Sequence, residues 1–237
     1  MVLRLPVRSI AIIVGFMFCI ASAVSFPQNK KGEVMIYDSP FDVLIIDPGH
    51  GGLDGGAVTV NGVKESEINL SISLKLNSLC HLYGIPTVMT RTDETIHYPS
   101  DALTISECKK ADQEMRLSLI RDYPHGILFS IHQNYYPSEQ VNGVQVLYGH
   151  DEKSDELGSL LQTALCTSLC PDCRRVASEV EDNIYLMKHC GCVSALIECG
   201  FLSNPLESER LQTESYQTKI ASVLLYSYLQ YTTQNWK

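Results

Sequence analysis

A chain that alternates short, fully apolar runs with amphipathic stretches has few ways to fold, because each run needs cover on both faces and the stretches between supply it. Asp42 is followed by Val43-Leu44-Ile45-Ile46, a run too short for a helix that ends in Asp47-Pro48-Gly49 and predicts a buried strand entering a loop. Ile68, Leu70, Ile72, Leu74, Leu76 and Leu79 recur mainly at helical spacing until Gly84, and Ile85-Pro86-Thr87-Val88-Met89 predicts a second strand. Another helix leads to strands at Ile127–Ile131 and Val144–Tyr148. A helix from about Glu152 to Leu169, a strand at Ala195–Ile197 and a last helix from about Leu206 to Leu229 follow. The alternation predicts a single-domain α/β fold, one sheet flanked by helices on both faces, with reactive side chains at strand ends.

The 237 residues, 45% hydrophobic and 19% charged, suffice for a sizeable core. Their net charge of −9 comes with no stripe of Lys and Arg, which excludes a nucleic-acid partner held by phosphate neutralisation. The N-terminus departs from this composition. Arg4 and Arg8 precede an uncharged run from Ile10 to Val24 that ends in Ala21-Ser22-Ala23, the form of a signal peptide. Residues 1–23 are read as that signal, with an uncleaved anchor as the alternative because the uncharged stretch continues to Asn29. Residues 24–41 form an N-terminal segment, 42–232 the catalytic domain and 233–237 a tail, and the signal predicts an exported protein that meets a membrane only through that N-terminal signal if it is uncleaved. Loss of 1–23 removes two arginines and no acid, carrying the charge from −9 to −11 and leaving eight cysteines. These are open to three readings: a disulfide framework, buried thiols, or a structural metal at Cys166, Cys170, Cys173, Cys190 and Cys192, for which a second Cys-x-x-Cys pair is missing.

His50 lies just past the first strand in Asp47-Pro48-Gly49-His50-Gly51-Gly52, and His132 takes the matching place after the third strand in Ser130-Ile131-His132-Gln133-Asn134. Glu65 stands between them at the start of a helix. Two histidines and one carboxylate from three element ends are the ligand set of a catalytic zinc with an open fourth position, so one Zn2+ per chain is expected. Glu198, after Ala195-Leu196-Ile197, interrupts an apolar stretch and is costly to bury without a partner. It is read as the general base, with a salt bridge to Arg91 or Arg116 as the structural alternative. Asp47 is a candidate partner for the outer nitrogen of a ligating histidine. Arg91, Arg116 and Asn134 are candidate donors to substrate, each with an ion pair or loop cap as its alternative.

From Val43 to about Tyr231 these motifs resemble the zinc-dependent N-acetylmuramoyl-L-alanine amidases of bacterial cell-wall turnover. The resemblance rests on the His50 loop, Lys64-Glu65 with Ile68-Asn69-Leu70, Thr90-Arg91, the His132 segment and Glu198-Cys199-Gly200-Phe201-Leu202-Ser203-Asn204. It implies a twisted mixed sheet between helices, zinc on His50, Glu65 and His132, Glu198 as the catalytic carboxylate, and peptidoglycan as substrate. Tyr136-Pro137-Ser138, Asn142-Gly143-Val144-Gln145 and Ile184-Tyr185-Leu186-Met187 are similar to the germination-specific cortex amidases of endospore formers. That narrower resemblance implies removal of stem peptides in the spore cortex as a step toward muramic lactam, in the cell wall or spore envelope space, and an accessory or activator protein. Arg121, where the family often has asparagine, and the cysteine-rich stretch from Cys166 to Cys192 depart from the pattern. A zinc peptidase cutting within the stem peptide and a non-catalytic wall-binding relative are the rival functions.

Overall fold

β1 (Leu44–Pro48) is buried at every position and pairs in parallel with β2 (Thr87–Met89) on one side and β3 (Ile127–Asn134) on the other. β6 (Val193–Phe201) adds in parallel to β3, β4 (Gln145–Tyr148) returns antiparallel along β6, and the two-residue β5 (Ser178–Glu179) closes the order β2-β1-β3-β6-β4-β5. The sheet is therefore mixed and mostly parallel. This computed structural model describes residue 41 and residues 43–235. The expected signal or anchor at 1–23, most of the 24–41 segment and the end of the 233–237 tail lie outside the described residues. No helix among the described residues is long and apolar enough to cross a membrane.

One face is covered by α1 (Glu65–Leu82), α3 (Glu152–Leu169) and α6 (Glu214–Gln234), with α6 packed against both of the others. Tyr228 of α6 meets the edge of Phe129 at 6.4 Å between ring centroids. The opposite face carries α2 (Ile105–Arg121), opened by a reciprocal Thr104–Glu107 capping box, and the short α4 (Tyr185–His189). Here Leu117 and Ile120 of α2 and Met187 of α4 bury Ile45, Leu128 and Leu196.

Three boundaries differ from the periodicity reading. β3 and β6 run on to Asn134 and Phe201, so His132 and Glu198 sit inside strands and face each other in register. Polar residues are admitted there because β6 is paired on both sides, with Gln145 of β4 opposite Glu198. The last helix is two: α5 (Pro205–Leu211) ends at Gln212, and Thr213 starts α6 by accepting the Tyr216 N–H. β5 and α4 are too short to leave a period in the sequence. All eight cysteines in the described residues are free thiols and five are buried, which fits the buried-thiol reading.

Candidate metal centre and catalytic cleft

Strand alternation sets up the site. Ile45 and Asp47 of β1, Leu128, Ser130 and His132 of β3, and Ser194, Leu196 and Glu198 of β6 point to the same face, and each row ends in a polar residue. The C-terminal ends of these strands open into a cleft of about 310 Å³ lined by Asp47, His50, His132 and Glu198, with α2 and α4 as its walls.

After β1 the backbone bends sharply. His50 holds a left-handed φ of 59°, uncommon for a residue with a side chain. Arg116 and Arg91 hold this bend. Arg91 donates to the carbonyls of Pro48 (2.9 Å), Gly49 (3.1 Å) and Ser66 (2.8 Å). Arg116 donates to the carbonyls of Pro48 (2.7 Å) and His50 (2.6 Å) and forms ion pairs with Asp47 (2.8 Å) and Asp112 (2.9 Å). Two glycines make room for the ligands: a Cβ on Gly49 would fall inside the His132 imidazole, and one on Gly56 would collide with Glu65 and His50.

Glu65 opens α1 and is buried. Its Oε1 lies 3.3 Å from His50 Nε2 and 3.1 Å from His132 Nδ1, and accepts from the Gln133 N–H at 3.1 Å and from Asn69 at 3.2 Å. Its other oxygen accepts from the Ala57 N–H at 3.0 Å. Burial opposes the charge, but the two histidines outweigh it and hold the carboxyl well below its usual range. The ligand atoms of His50, Glu65 and His132 all lie within 4.8 Å of one another. Around a tetrahedral ion with bonds of about 2.0–2.2 Å, donors stand roughly 3.3 Å apart, so two imidazole nitrogens and a carboxylate oxygen at these spacings fit zinc. The donor set also carries surplus negative charge. Burial would lower the His50 pKa, yet Asp54 and Glu65 raise it to about 9, a demand for positive charge that a divalent ion would meet.

Glu198 faces His132 across the β3–β6 pair. Its Oε2 is sealed from solvent and has no hydrogen-bond partner. Burial first, and then the Glu65 charge, push its carboxyl up to about 7 against the pull of His132 and His50. An unpaired oxygen of this kind is costly unless the group has a task.

The structure brings His50, Glu65, His132 and Glu198 together, and it places the other sequence candidates differently. The salt bridge considered for Glu198 is not formed, since Arg91 and Arg116 spend their donors on the β1 loop and on Glu94, Asp47 and Asp112. For both arginines the ion-pair alternative fits: both are buried, Arg91 paired with Glu94, and Arg116, which also lines the cleft, paired with Asp47 and Asp112. Asn134 ends β3, and its carbonyl accepts the Leu202 N–H at 2.8 Å. Asp47 touches neither histidine; it accepts from Thr90 (2.6 Å), Ser130 (2.7 Å) and Arg116. The outer nitrogen of His50 meets Asp54 instead, at 3.0 Å, and Lys109 of α2 pairs with the other oxygen of Asp54 at 3.0 Å. Sequence reasoning missed Asp54 and Lys109. The available signal was Asp54 four residues after a candidate ligand, in a loop whose glycines permit return of the chain.

The family described as N-acetylmuramoyl-L-alanine amidase matches residues 44–226. The chain is similar to the germination-specific N-acetylmuramoyl-L-alanine amidase of Bacillus subtilis (strain 168), 30% identical over 234 residues covering 98% of each protein. It is also similar to the CwlD amidase from Clostridioides difficile, solved in complex with the GerS lipoprotein, with a TM-score of 0.78 and 32% identity over 82% of this chain and 100% of that one. The N-acetylmuramoyl-L-alanine amidase from Clostridium difficile 630 aligns with a TM-score of 0.70 and 27% identity over 83% of this chain and 100% of its own.

Proposed function

This chain belongs to the N-acetylmuramoyl-L-alanine amidase family, and we propose that it is a zinc-dependent member that strips stem peptides from spore-cortex peptidoglycan as a step toward muramic lactam. Its activity is hydrolysis of the amide between the lactyl group of muramic acid and L-alanine. The convergence of His50 Nε2, His132 Nδ1 and Glu65 Oε1 beside the unpaired Oε2 of Glu198 carries the reading.

His50, Glu65 and His132 would hold one zinc ion. When bound, zinc polarises a carbonyl and makes water more acidic. Glu198 takes the proton of the attacking water on its carboxylate and returns it to the alanine nitrogen as the amide breaks, leaving a lactyl carboxylate and a free amine. Arg91 and Arg116 act behind the ligands, fixing the carbonyls on either side of His50. Asp54 orients the His50 ring. Asn134, at the end of β3, donates its side-chain amide to the peptide.

The cortex role is supported by the germination-specific relative, matched over nearly its whole length. Action outside the cytoplasmic membrane is supported by the same relatives and by the signal expected from the sequence. The CwlD structure, with its GerS lipoprotein, supports an accessory protein for this chain as well. Incubation of metal-replete protein with defined cortex and vegetative muropeptides, followed by mass spectrometry, tests the reading. Release of intact stem peptide with an N-terminal alanine, faster from cortex material, is expected. Cleavage within the stem would identify a peptidase, and no cleavage a wall-binding relative.

A further inference from the structure

Three thiols gather at the end of α3, beside the segment that leads into β4. Cys166 lies in the last turn of α3 and Cys170 is its C-cap, with the Cys170 N–H on the Cys166 carbonyl at 3.0 Å. Pro171 cannot continue the helix, and the chain turns tightly, the Cys173 N–H returning to the Cys170 carbonyl at 2.8 Å. That turn folds Cys173 back over the last helical turn. Cys173 Sγ lies 3.8 Å from the Val144 carbonyl, the same carbonyl accepts from Gln162 at 3.2 Å, and Gln162 Nε2 stands 3.1 Å from Cys166 Sγ. Cys173 is the side chain that, after burial, most perturbs the Cys166 thiol. Cys170 Sγ is the third member: a Cβ on Gly143 would lie 3.2 Å from Cys173 Sγ and 3.7 Å from Cys170 Sγ. All three are half-buried and open to a reagent, unlike the other five cysteines.

We propose that Cys166, Cys170 and Cys173 form a thiol–disulfide exchange site in which Cys173 is the shared partner, bonding to Cys166 and exchanging with Cys170. The co-reactant is a disulfide, either a small molecule or the active site of a disulfide oxidoreductase. Cys173 attacks one of its sulfurs as thiolate, forming a mixed disulfide and expelling a thiolate. Cys166 then loses its proton to solvent and attacks the Cys173 sulfur, expelling the second thiolate, so two protein thiols are oxidised and one disulfide becomes two thiols. Burial, and then the neighbouring Cys173, push the Cys166 thiol up to about 11, which suits it to enter second. A metal does not account for the cluster. Among the described residues only His50, Glu65 and His132 bring three ligand atoms within 4.8 Å of one another.

The bond would lock the turn that carries Arg175, whose guanidinium lies 5.1 Å from the Phe201 ring centroid at the end of β6. Glu207 already ties this region together, accepting from the Gly143 N–H at 2.9 Å and the Phe201 N–H at 2.8 Å. Oxidation would therefore stiffen the segment that leads into β4, where Gln145 stands opposite Glu198.

The test exposes the purified full chain to oxidised glutathione, quenches with acid, alkylates the remaining thiols and maps peptides by mass spectrometry, in the parent and in Cys166→Ser and Cys173→Ser variants. The parent should give a Cys166–Cys173 link with Cys170 alkylated, Cys166→Ser should shift the link to Cys170–Cys173, and Cys173→Ser should give neither. Oxidation should raise the parent's unfolding midpoint by on the order of 5 °C and leave that of Cys173→Ser unmoved. Cys173 found alkylated in the oxidised parent, a Cys166–Cys170 link, or glutathione retained as a mixed disulfide would overturn the proposal. So would zinc that survives loss of His50 and His132 and disappears with Cys173.

Discussion

On the sheet face under α1, α3 and α6, the strands present Leu44, Ile46, Phe129, Ile131 and Ile197, all buried. One residue along, the same strands present Asp47, Ser130, His132 and Glu198 to the cleft beside α2 and α4. The first face holds the fold by excluding water, and only at its end does a polar side chain enter, Gln133, which donates to Asn69 of α1 at 3.1 Å. The second carries polar groups that are each answered: Asp47 by Thr90, Ser130 and Arg116, Glu65 by two histidines and three amides, and the His50 loop by two guanidinium groups. Glu198 Oε2 is the exception among the acids. The contrast separates residues whose loss should unfold the protein from residues whose loss should silence it.

The largest expected effect is on the open face. Glu198→Gln keeps shape and removes the proton acceptor, so turnover should fall by on the order of 10²–10⁴ with the thermal midpoint preserved, measured as initial rates on a purified muropeptide alongside calorimetry. Activity within a few-fold of the parent would remove Glu198 from the reaction. Phe129→Ala is its opposite on the closed face. The cavity left against Tyr228 should cost about 3–5 kcal/mol in denaturant unfolding, while the folded fraction turns over at the parent rate. A large loss of turnover in folded Phe129→Ala would show that the two faces are not separable.

That division was partly legible in the sequence. Apolar runs and helical spacing placed five of the six strands, because burial on both faces leaves a continuous hydrophobic signal. His50 and His132 stood out because each follows such a run, and Glu65 because it opens the intervening helix. Charge direction was not legible. A guanidinium reads identically whether it enters a cleft or caps carbonyls, and the carbonyls of Pro48, Gly49 and His50 face Arg91 and Arg116 only because the loop passes through a left-handed His50. For the same reason the sequence pointed to Asp47 as the partner of a ligating histidine and passed over Asp54. Each lies near His50 in sequence, and only the bend decides which carboxylate reaches the ring.

Arg116→Met probes the polar face as structure. Removing one partner of a buried pair leaves Asp47 charged without its cation, a loss of on the order of 3 kcal/mol near neutral pH. Burial alone would raise the Asp47 pKa, but Arg116 and the Thr90 and Ser130 hydrogen bonds outweigh it and hold the carboxyl below its usual range. A folded pKa below the unfolded value, about 3.9, gives stability that is present above that value and disappears as pH falls through the folded pKa. The gap between parent and variant should therefore be widest above about pH 4 and close in acid. A gap that stays constant across a pH series of unfolding curves would show that Arg116 acts through the Pro48 and His50 carbonyls and not through Asp47.

The smallest expected effect distinguishes backbone clamping from ring orientation. Asp54 lies in the partly exposed loop and touches the outer nitrogen of His50, so Asp54→Ala should leave the unfolding midpoint of the metal-free protein nearly unchanged. Without that acceptor the imidazole is free to rotate about its side-chain bonds and is less basic, which should weaken zinc retention about 10–100-fold in competition with a chelator. Turnover at saturating zinc should recover most of its parent value, because Glu198 and the other two ligands are unmoved. If instead Asp54→Ala holds zinc as tightly as the parent, the His50 ring is oriented from behind, by the Arg91 and Arg116 contacts to the carbonyls of the loop. The two arginines would then be the principal determinants of the metal site, although both act through backbone carbonyls.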